Sequence, residues 1–295
     1  MRRFQKFILL MLMGAVCTVA LAAEPRKVMS LSYNPSGVMI QSQLEKGISE
    51  TAIRTDLERL APYTVGIRTY SLEYGLDRVP AITKDLGLKL SLGLWLGRDK
   101  AKNASEIKHA IGIINTYGAN IERVYVGNEA VIRGDLSAGE VAAYIKQVKA
   151  AVPAINVPFG TAEPWHVWLK HPELAAASDF IGAHLFGYWD GVPAIDAVNY
   201  LDKRFDELQA AFPAKTVIIS ETGWPTGGSV HQAAVPSLAT RAGYVRQFLQ
   251  RAARKMYDYN IVEAFDQPWK APEEKGAVWG LFSDDGKPTF NFFAP

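Results

Sequence analysis

The sequence predicts a (β/α)8 TIM barrel formed by a single domain over residues 24–295. Eight short runs of β-branched or apolar residues alternate with segments of helical periodicity, which is typical of an α/β protein with a parallel sheet. Eight such units in a chain of this length favour closure of the sheet into a barrel. The predicted strands are Val28–Tyr33, Val65–Tyr70, Lys89–Leu96, Arg123–Gly127, Val157–Thr161, Phe180–Phe186, Thr216–Ser220 and Ile261–Phe265.

The segments between the strands carry the signals of helices. Ser137 followed by Glu140 matches a capping box, in which the two side chains bond each other's backbone N–H groups. Asn103 or Ser105, ahead of Glu106, is a second candidate N-cap. The predicted helices are Thr51–Leu60, Ser105–Tyr117, Ala138–Ala151, Ile195–Phe212 and Leu238–Met256.

A doubly wound open sheet is the alternative architecture. That fold usually has a glycine-rich phosphate-binding turn after its first strand, and residues Tyr33–Gly37 do not form one. No Ser/Gly-rich linker or block of charge divides the chain, so a single domain is expected. The stretch after Trp269 is rich in Gly, Pro and Asp, and it predicts a long loop with a short tail rather than a full eighth helix.

The first 23 residues have the layout of a secretory signal peptide. Three basic residues among the first six precede an uncharged, mostly apolar run over residues 7–23, which ends in the small-residue segment Ala20–Ala23. We therefore expect a mature protein that begins at Ala23 or Glu24 and is periplasmic or secreted. The alternative is an uncleaved membrane anchor, although this run is shorter than the about 20 residues that span a bilayer.

Composition excludes several classes of partner and cofactor. The chain has 32 Lys and Arg against 30 Asp and Glu, and the signal peptide contains three of the basic residues, so the mature protein is near neutral and nucleic acid is not an expected partner. Cys17 is the only cysteine and lies in the signal peptide, so no disulfide is expected. No dinucleotide-binding glycine pattern is present, and neither a metal nor a cofactor is expected. The histidines lack metal-ligand spacing: His109, His166, His171, His184 and His231.

Polar and aromatic residues collect at the predicted C-terminal ends of the strands, where barrel enzymes carry their catalytic groups. Glu129 follows the fourth strand and Glu221 follows the seventh, so their side chains can converge across the barrel mouth. Cleavage of a glycosidic bond needs two carboxyl groups. Aromatic rings beside hydrogen-bonding side chains also suit sugar rings. The sequence therefore predicts a carbohydrate-active site built on Glu129 and Glu221.

A structural role is the alternative for each of these residues. A single glutamate at a strand end is usually a solvated loop residue, and strand-end aromatic residues often only fill a barrel. Arg68 could tie loops together, His184 could be a satisfied residue at the edge of the core, and Glu263 could be a buried acid paired with Arg68. The pair of glutamates, rather than either one alone, carries the prediction.

The strand-end motifs resemble those of glycoside hydrolase family 17, the β-1,3-glucanases. Gly127–Glu129 resembles the acid/base motif and Glu221–Pro225 resembles the nucleophile motif. The resemblance covers nearly all of residues 28–290 and is greatest to the bacterial branch that remodels periplasmic β-glucans, which includes glucanosyltransferases as well as hydrolases. Further matching segments are Ile67–Tyr70, Glu263–Lys270, Trp279–Phe282 and Asp285–Pro288.

The resemblance implies a retaining mechanism in which Glu129 protonates the leaving oxygen and Glu221 attacks the anomeric carbon. Glu129 is then expected to have a raised pKa at rest, and Arg68 to keep Glu221 ionised. Asn128 would hold the 2-hydroxyl of the reacting sugar. The other expected substrate-binding residues are Tyr70, Trp165, His184, Tyr188, Trp224, Glu263, Gln267 and Trp269.

Two points of this assignment have alternatives. Trp165, Trp168, Tyr188 and Trp189 could form an aromatic platform for an acceptor sugar, or Trp168 and Tyr188 could merely pack the barrel helices. Many fungal relatives have Glu where this chain has Gln267, which puts distal sugar contacts in doubt.

The expected partner is a β-glucan oligo- or polysaccharide, bound by a monomer that has no membrane contact after signal cleavage. The glycosyl-enzyme could be resolved by water or by a sugar hydroxyl, and we expect transfer to be at least as frequent as hydrolysis. The alternatives are a non-catalytic glucan-binding barrel and a β-1,4-glycanase of the same clan.

Overall fold

The computed structural model describes residues 26–273 and 278–294, and the predicted signal peptide at residues 1–23 lies outside them. Eight parallel strands form a closed barrel in chain order, each paired with its neighbours and β8 with β1. The strands are β1 Val28–Ser32, β2 Thr64–Arg68, β3 Lys89–Leu94, β4 Ile121–Asn128, β5 Phe159–Pro164, β6 Phe180–His184, β7 Thr216–Thr222 and β8 Tyr259–Ile261.

The predicted (β/α)8 barrel is confirmed, and the doubly wound alternative is wrong because the sheet closes through β1 and β8. Helices pack around the barrel, with 3-10 turns at Glu73–Arg78, Gly118–Asn120 and Pro268–Glu273. The α-helices are α1 Gln41–Glu45, α2 Glu50–Leu60, α3 Val79–Leu86, α4 Lys100–Tyr117, α5 Ala138–Ala151, α6 Trp165–Lys170, α7 Pro172–Ala177, α8 Ala197–Ala211 and α9 Leu238–Lys255.

The helix starts test the predicted caps. The capping box of Ser137 and Glu140 is present at the start of α5. The predicted start at Asn103 or Ser105 is wrong, since Asp99 caps α4 by accepting hydrogen bonds from Ala101 and Lys102. Asn103 lies inside that helix, where its amide donates to the carbonyl of Gly97. The asparagine therefore fixes the β3–α4 loop instead of beginning the helix.

The last strand differs most from its prediction. It occupies Tyr259–Ile261 instead of Ile261–Phe265, and Glu263 and Ala264 beyond it divide their backbone bonds between β1 and the segment around Trp279. The N–H of Glu263 donates to the carbonyl of Trp279, and the N–H of Ala264 donates to that of Ser32. The closing segment around Trp279 therefore lies against the barrel where a longer eighth strand was expected.

The floor of the barrel mouth is a small cluster separate from the main core, formed by Tyr125, Ala162, Phe180 and Ile218. Above it stands the guanidinium of Arg68, 4.5 Å from the centre of the Tyr125 ring. In the described part of the chain, none of the helices is long and apolar enough to cross a membrane.

Candidate active site

Two glutamates meet at the C-terminal rim of the barrel. Glu129 directly follows β4, and Glu221 lies near the end of β7. One carboxylate oxygen of each, together with a ring nitrogen of His184 from β6, lie within 4.8 Å of one another. Glu221 is buried, whereas the Glu129 side chain is 35% exposed. The residues predicted from the fourth and seventh strand ends are therefore brought together.

His184 stands between the two carboxylates. Its Nδ1 lies 2.8 Å from Oε1 of Glu129, within hydrogen-bond distance. Its Nε2 lies 3.3 Å from Oε1 of Glu221 without forming a well-aligned hydrogen bond. Because the imidazole is almost fully buried, it links the two carboxylates electrostatically.

Arg68, at the end of β2, is fully buried and holds the nucleophile side of the site. Its Nη1 donates to Oε1 of Glu221 at 2.8 Å and to the carbonyl of Ser220 at 2.6 Å, and its Nη2 donates to Oδ1 of Asn128 at 2.7 Å. A buried guanidinium bonded to a carboxylate favours the ionised acid. It also repels a second cation, so the cluster of Glu129, His184 and Glu221 suits proton chemistry better than metal binding.

Tyr70 extends this network towards the first and last strands. Its hydroxyl pairs with Oγ of Ser32 at 2.6 Å, and the Arg68 guanidinium lies 4.7 Å from the centre of its ring. Asn260 of β8 donates to the same Ser32 oxygen at 2.7 Å. Burial, and then the charge of Glu221, raise the pKa of Tyr70 well above its usual value, so the phenol stays protonated. Tyr70 therefore reaches Glu221 through the charge of that carboxylate and through Arg68.

The pKa of Glu129 does not follow the sequence prediction. Burial raises it, but the hydrogen bond and charge of His184, with the charges of Arg133 and Arg68, outweigh burial and hold the pKa below its ordinary value. The predicted raised pKa at rest is therefore wrong for the unliganded protein. An apolar rim and a neighbouring carboxylate raise a carboxyl pKa, but the imidazole that faces Glu129 acts in the opposite direction.

The turn that carries Glu129 has an unusual backbone. Gly127 has φ of 89° and Glu129 has φ of 54°, in the left-handed region that disfavours a side chain. The N–H of Glu129 donates to the carbonyl of Ala162 at 2.8 Å. The buried carboxylate of Glu163 accepts the N–H groups of Val131 at 2.8 Å and Ile132 at 3.2 Å. Contacts to β5 thus hold the turn in place.

Glu163 is a residue of the site that the sequence reasoning missed. It is fully buried, and burial raises its pKa to about 7, although its two backbone hydrogen bonds lower it. The available signal was an acid inside β5, a strand whose other residues before Pro164 are small or apolar. An acid at such a position needs specific partners, because an unpaired charge in the core is costly.

Just after the eighth strand, Glu263 is buried and paired with Lys270, whose Nζ lies 3.1 Å from Oε2. The considered pairing of Glu263 with Arg68 is therefore wrong. Gln267 is fully buried, and its Oε1 accepts from Nε1 of Trp269 at 2.6 Å. Gln267 thus positions the Trp269 ring and faces no open surface.

The predicted aromatic residues fall into two groups. Tyr188 and Trp224 are buried with ring centres 5.5 Å apart, and Trp168 is fully buried, which favours the packing alternative for Tyr188 and Trp168. Trp165 is half-buried, with its indole N–H towards Asp190 at 3.4 Å. Trp165 therefore keeps a surface that a ligand can contact.

The chain resembles known proteins over most of its length. A family model described as the BtgE/BtgC glycoside hydrolase domain matches residues 30–280. The glucan 1,3-beta-glucosidase of Schizosaccharomyces pombe is 32% identical over 234 residues, which cover 73% of this chain and 72% of that protein.

Solved structures agree with these matches. The crystal structure of a glycoside hydrolase family 17 β-1,3-glucanosyltransferase from Rhizomucor miehei has a TM-score of 0.79 at 28% identity, covering 90% of this chain and 98% of that one. An active-site mutant of that enzyme in complex with laminaritriose has a TM-score of 0.78 at 27% identity, covering 90% and 97%. These relatives are fungal, so membership of the bacterial branch stays a prediction. The family itself is confirmed: this chain belongs to glycoside hydrolase family 17, and the BtgE/BtgC domain is the family model that it matches.

Proposed function

We propose that this protein is a retaining glycosidase of β-1,3-glucan, with Glu129 as general acid/base and Glu221 as nucleophile. The observation that carries the proposal is the approach of their carboxylate oxygens to within 4.8 Å. Retaining enzymes hold the two carboxyl groups about 5–5.5 Å apart, and inverting enzymes leave about 6.5–9.5 Å for a water. The short separation supports direct attack by Glu221 and a covalent glycosyl-enzyme.

The β-1,3 linkage follows from the relatives. The Schizosaccharomyces pombe protein is named a glucan 1,3-beta-glucosidase, and the Rhizomucor miehei enzyme is a β-1,3-glucanosyltransferase whose mutant binds laminaritriose. The same names support both hydrolysis and transfer as outcomes of one intermediate. A non-catalytic glucan-binding barrel gains no support, since such a protein has no need of two converging carboxylates bridged by a histidine.

The first step uses the Arg68 network. One nitrogen of Arg68 positions Glu221 through two hydrogen bonds, to its carboxylate and to the adjacent carbonyl of Ser220. Since Oδ1 of Asn128 accepts from Arg68, the amide nitrogen of Asn128 is the group left free to donate to a sugar hydroxyl. The nucleophile and the hydroxyl contact are thereby set by the same guanidinium.

Protonation of Glu129 then depends on the substrate. The resting carboxyl has a lowered pKa and is 35% exposed, so a sugar that covers it adds desolvation and raises the pKa. When Glu221 loses its charge in the covalent intermediate, the ionised form of Glu129 is favoured again. Glu129 can then take a proton from water or from an acceptor hydroxyl.

Two variants test these roles. Glu129→Gln should block cleavage of laminari-oligosaccharides but still form the glycosyl-enzyme from an aryl β-glucoside with a good leaving group. Glu221→Gln should abolish both reactions, because no nucleophile remains. Mass spectrometry of trapped protein and the anomeric configuration of products by NMR report the outcome. A first-formed product of inverted configuration, or equal activity on carboxymethylcellulose, would contradict the proposal.

We also infer export, from the predicted signal peptide and from the proposed glucan substrate, a polymer of walls and envelopes. Intact-mass analysis of the natively expressed protein should give a species that begins at Ala23 or Glu24. A full-length species in the membrane fraction would support the anchor alternative instead.

A further inference from the structure

Trp95 stands out among the seven tryptophans of the chain. It directly follows β3 at the barrel rim and is 42% exposed, whereas the other six are buried or half-buried. A large aromatic side chain left in water at the mouth of a site contributes little to the core. Packing of the core therefore does not explain why a tryptophan stands at this position.

The ring is held firmly despite its exposure. The guanidinium of Arg133 lies 4.2 Å from the ring centre and covers one face. Arg133 is itself fixed, because it donates to Oδ2 of Asp135 at 2.9 Å, to the carbonyl of Leu96 at 3.0 Å and to the carbonyl of Asn128. The backbone N–H of Trp95 donates to the buried carboxylate of Glu106 at 3.2 Å.

Arg133 also connects Trp95 to the turn that carries Glu129. Arg133 bonds the carbonyl of Asn128 through its side chain, and its backbone N–H donates to the carbonyl of Glu129 at 3.0 Å. Its charge is also one of the causes that lower the pKa of Glu129. Arg133 thus contacts both the Trp95 ring and the turn that carries the proposed acid.

We propose that Trp95 is a stacking subsite for a glucosyl unit adjoining the reacting sugar. The proposal rests on the proposed function and adds a binding residue that lies outside the predicted set. The flat indole suits the C–H face of a pyranose, and the exposed Arg98 and its partner Asp135 beside it can meet hydroxyls. This mixture of one apolar ring and charged neighbours fits a sugar better than a protein partner, which needs a larger apolar patch.

Pre-organisation strengthens the argument. A ligand that docks on a fixed ring loses less free energy to side-chain ordering than one that must immobilise a mobile residue. The stacked sugar can belong to the donor chain or to an acceptor chain, since the same C–H face is presented by both.

The test is the affinity of Glu221→Gln protein for laminaritriose and laminarihexaose, measured by isothermal titration calorimetry. Adding Trp95→Ala should weaken binding about tenfold, the factor expected when about 50 Å² of apolar ring surface is no longer covered. Trp95→Phe should lose less, because a flat ring remains. Met256→Ala, at an 88% exposed residue after α9, is the control and should bind as the background does.

The outcomes separate the two claims. If the Glu221→Gln background binds both oligosaccharides and Trp95→Ala binds equally well, the stacking subsite is refuted and the proposed function stands. If the background binds neither oligosaccharide, the proposed function is refuted and the subsite with it. Equal losses in Trp95→Phe and Trp95→Ala would also overturn the proposal, since stacking depends on the ring. Transfer assays with a labelled acceptor, on Trp95→Ala protein that keeps Glu221, then distinguish the two positions of the stacked sugar. A higher KM for the donor indicates donor stacking, and a higher KM for the acceptor indicates acceptor stacking.

Discussion

Replacement of Glu163 by Gln should remove a large part of the pH dependence of stability. This carboxyl is fully buried in β5. It accepts hydrogen bonds from the backbone N–H groups of Val131 and Ile132. Glu129 and His184 are the ionisable groups that act on it, with opposite effects on its pKa. Gln preserves the shape of the side chain while removing its titration.

The magnitude follows from the two pKa values. Burial raises the pKa of Glu163 to about 7 in the folded protein, against 4.5 for the ordinary group. Between those pH values the folded state holds a proton that the unfolded state has released, so stability falls as pH rises. The two values correspond to a loss of about 3 kcal/mol in the free energy of unfolding on going from pH 4.5 to above 7.

Urea unfolding at pH 5 and pH 8, followed by tryptophan fluorescence, measures this loss. The difference in unfolding free energy between the two pH values should be about 2.5 kcal/mol smaller in Glu163→Gln than in the parent protein. Glu58→Gln, which removes an exposed carboxylate of α2, is the matched control and should leave the difference unchanged. Equal differences in Glu163→Gln and the parent would refute the reasoning.

Three further results are expected. His184→Phe should raise the pKa of Glu129, because the hydrogen bond and charge that lower it are lost. The basic limb of the plot of kcat/KM against pH should then move to higher pH. The shift should be smaller in His184→Gln, which keeps a hydrogen-bond donor. Arg68→Met leaves the buried Glu221 without its guanidinium partner. It should lower the free energy of unfolding, measured in urea, by about 3–5 kcal/mol. Arg54→Met breaks the exposed pair with Asp85 and should lower the free energy of unfolding much less. With millimolar laminari-oligosaccharides, mass spectrometry should find products longer than the substrate; only shorter ones would mean hydrolysis alone.

Much of the fold could be predicted because a barrel strand is buried over most of its residues and leaves a short, mostly apolar or small-residue run. Val28–Ser32 and Phe180–His184 begin where their runs begin. The eighth strand could not be bounded in this way, since residues after Ile261 are also apolar and their partners come from the closing segment. The start of α4 was missed because Asp99 is four residues ahead of the candidate Asn103, whose own side chain serves the preceding loop.

In the active site, too, the positions of residues along the strands could be predicted, whereas the contacts between their side chains could not. Glu129 and Glu221 could be predicted because strand order alone places their side chains at one rim. The position of His184 between them could not, since it depends on the rotamer that turns Nδ1 to one carboxylate and Nε2 to the other. The same limit explains the error in the pKa of Glu129, which is set by that contact.

The seam of the barrel has a consequence for how the molecule is completed. Strands β1 and β8 share a single register pair, Leu31 with Ile261. Side-chain hydrogen bonds, such as that from Ser30 to Asn260, join residues that are 230 positions apart in the chain. The N-terminal strand is synthesised long before its partner, and one edge of it stays open until β8 pairs with it. Because Asn260 also bonds Ser32, the partner of Tyr70, the mouth is finished only when nearly the whole chain has emerged. A product truncated before β8 would therefore lack the contacts that complete the site, even if its helices were intact.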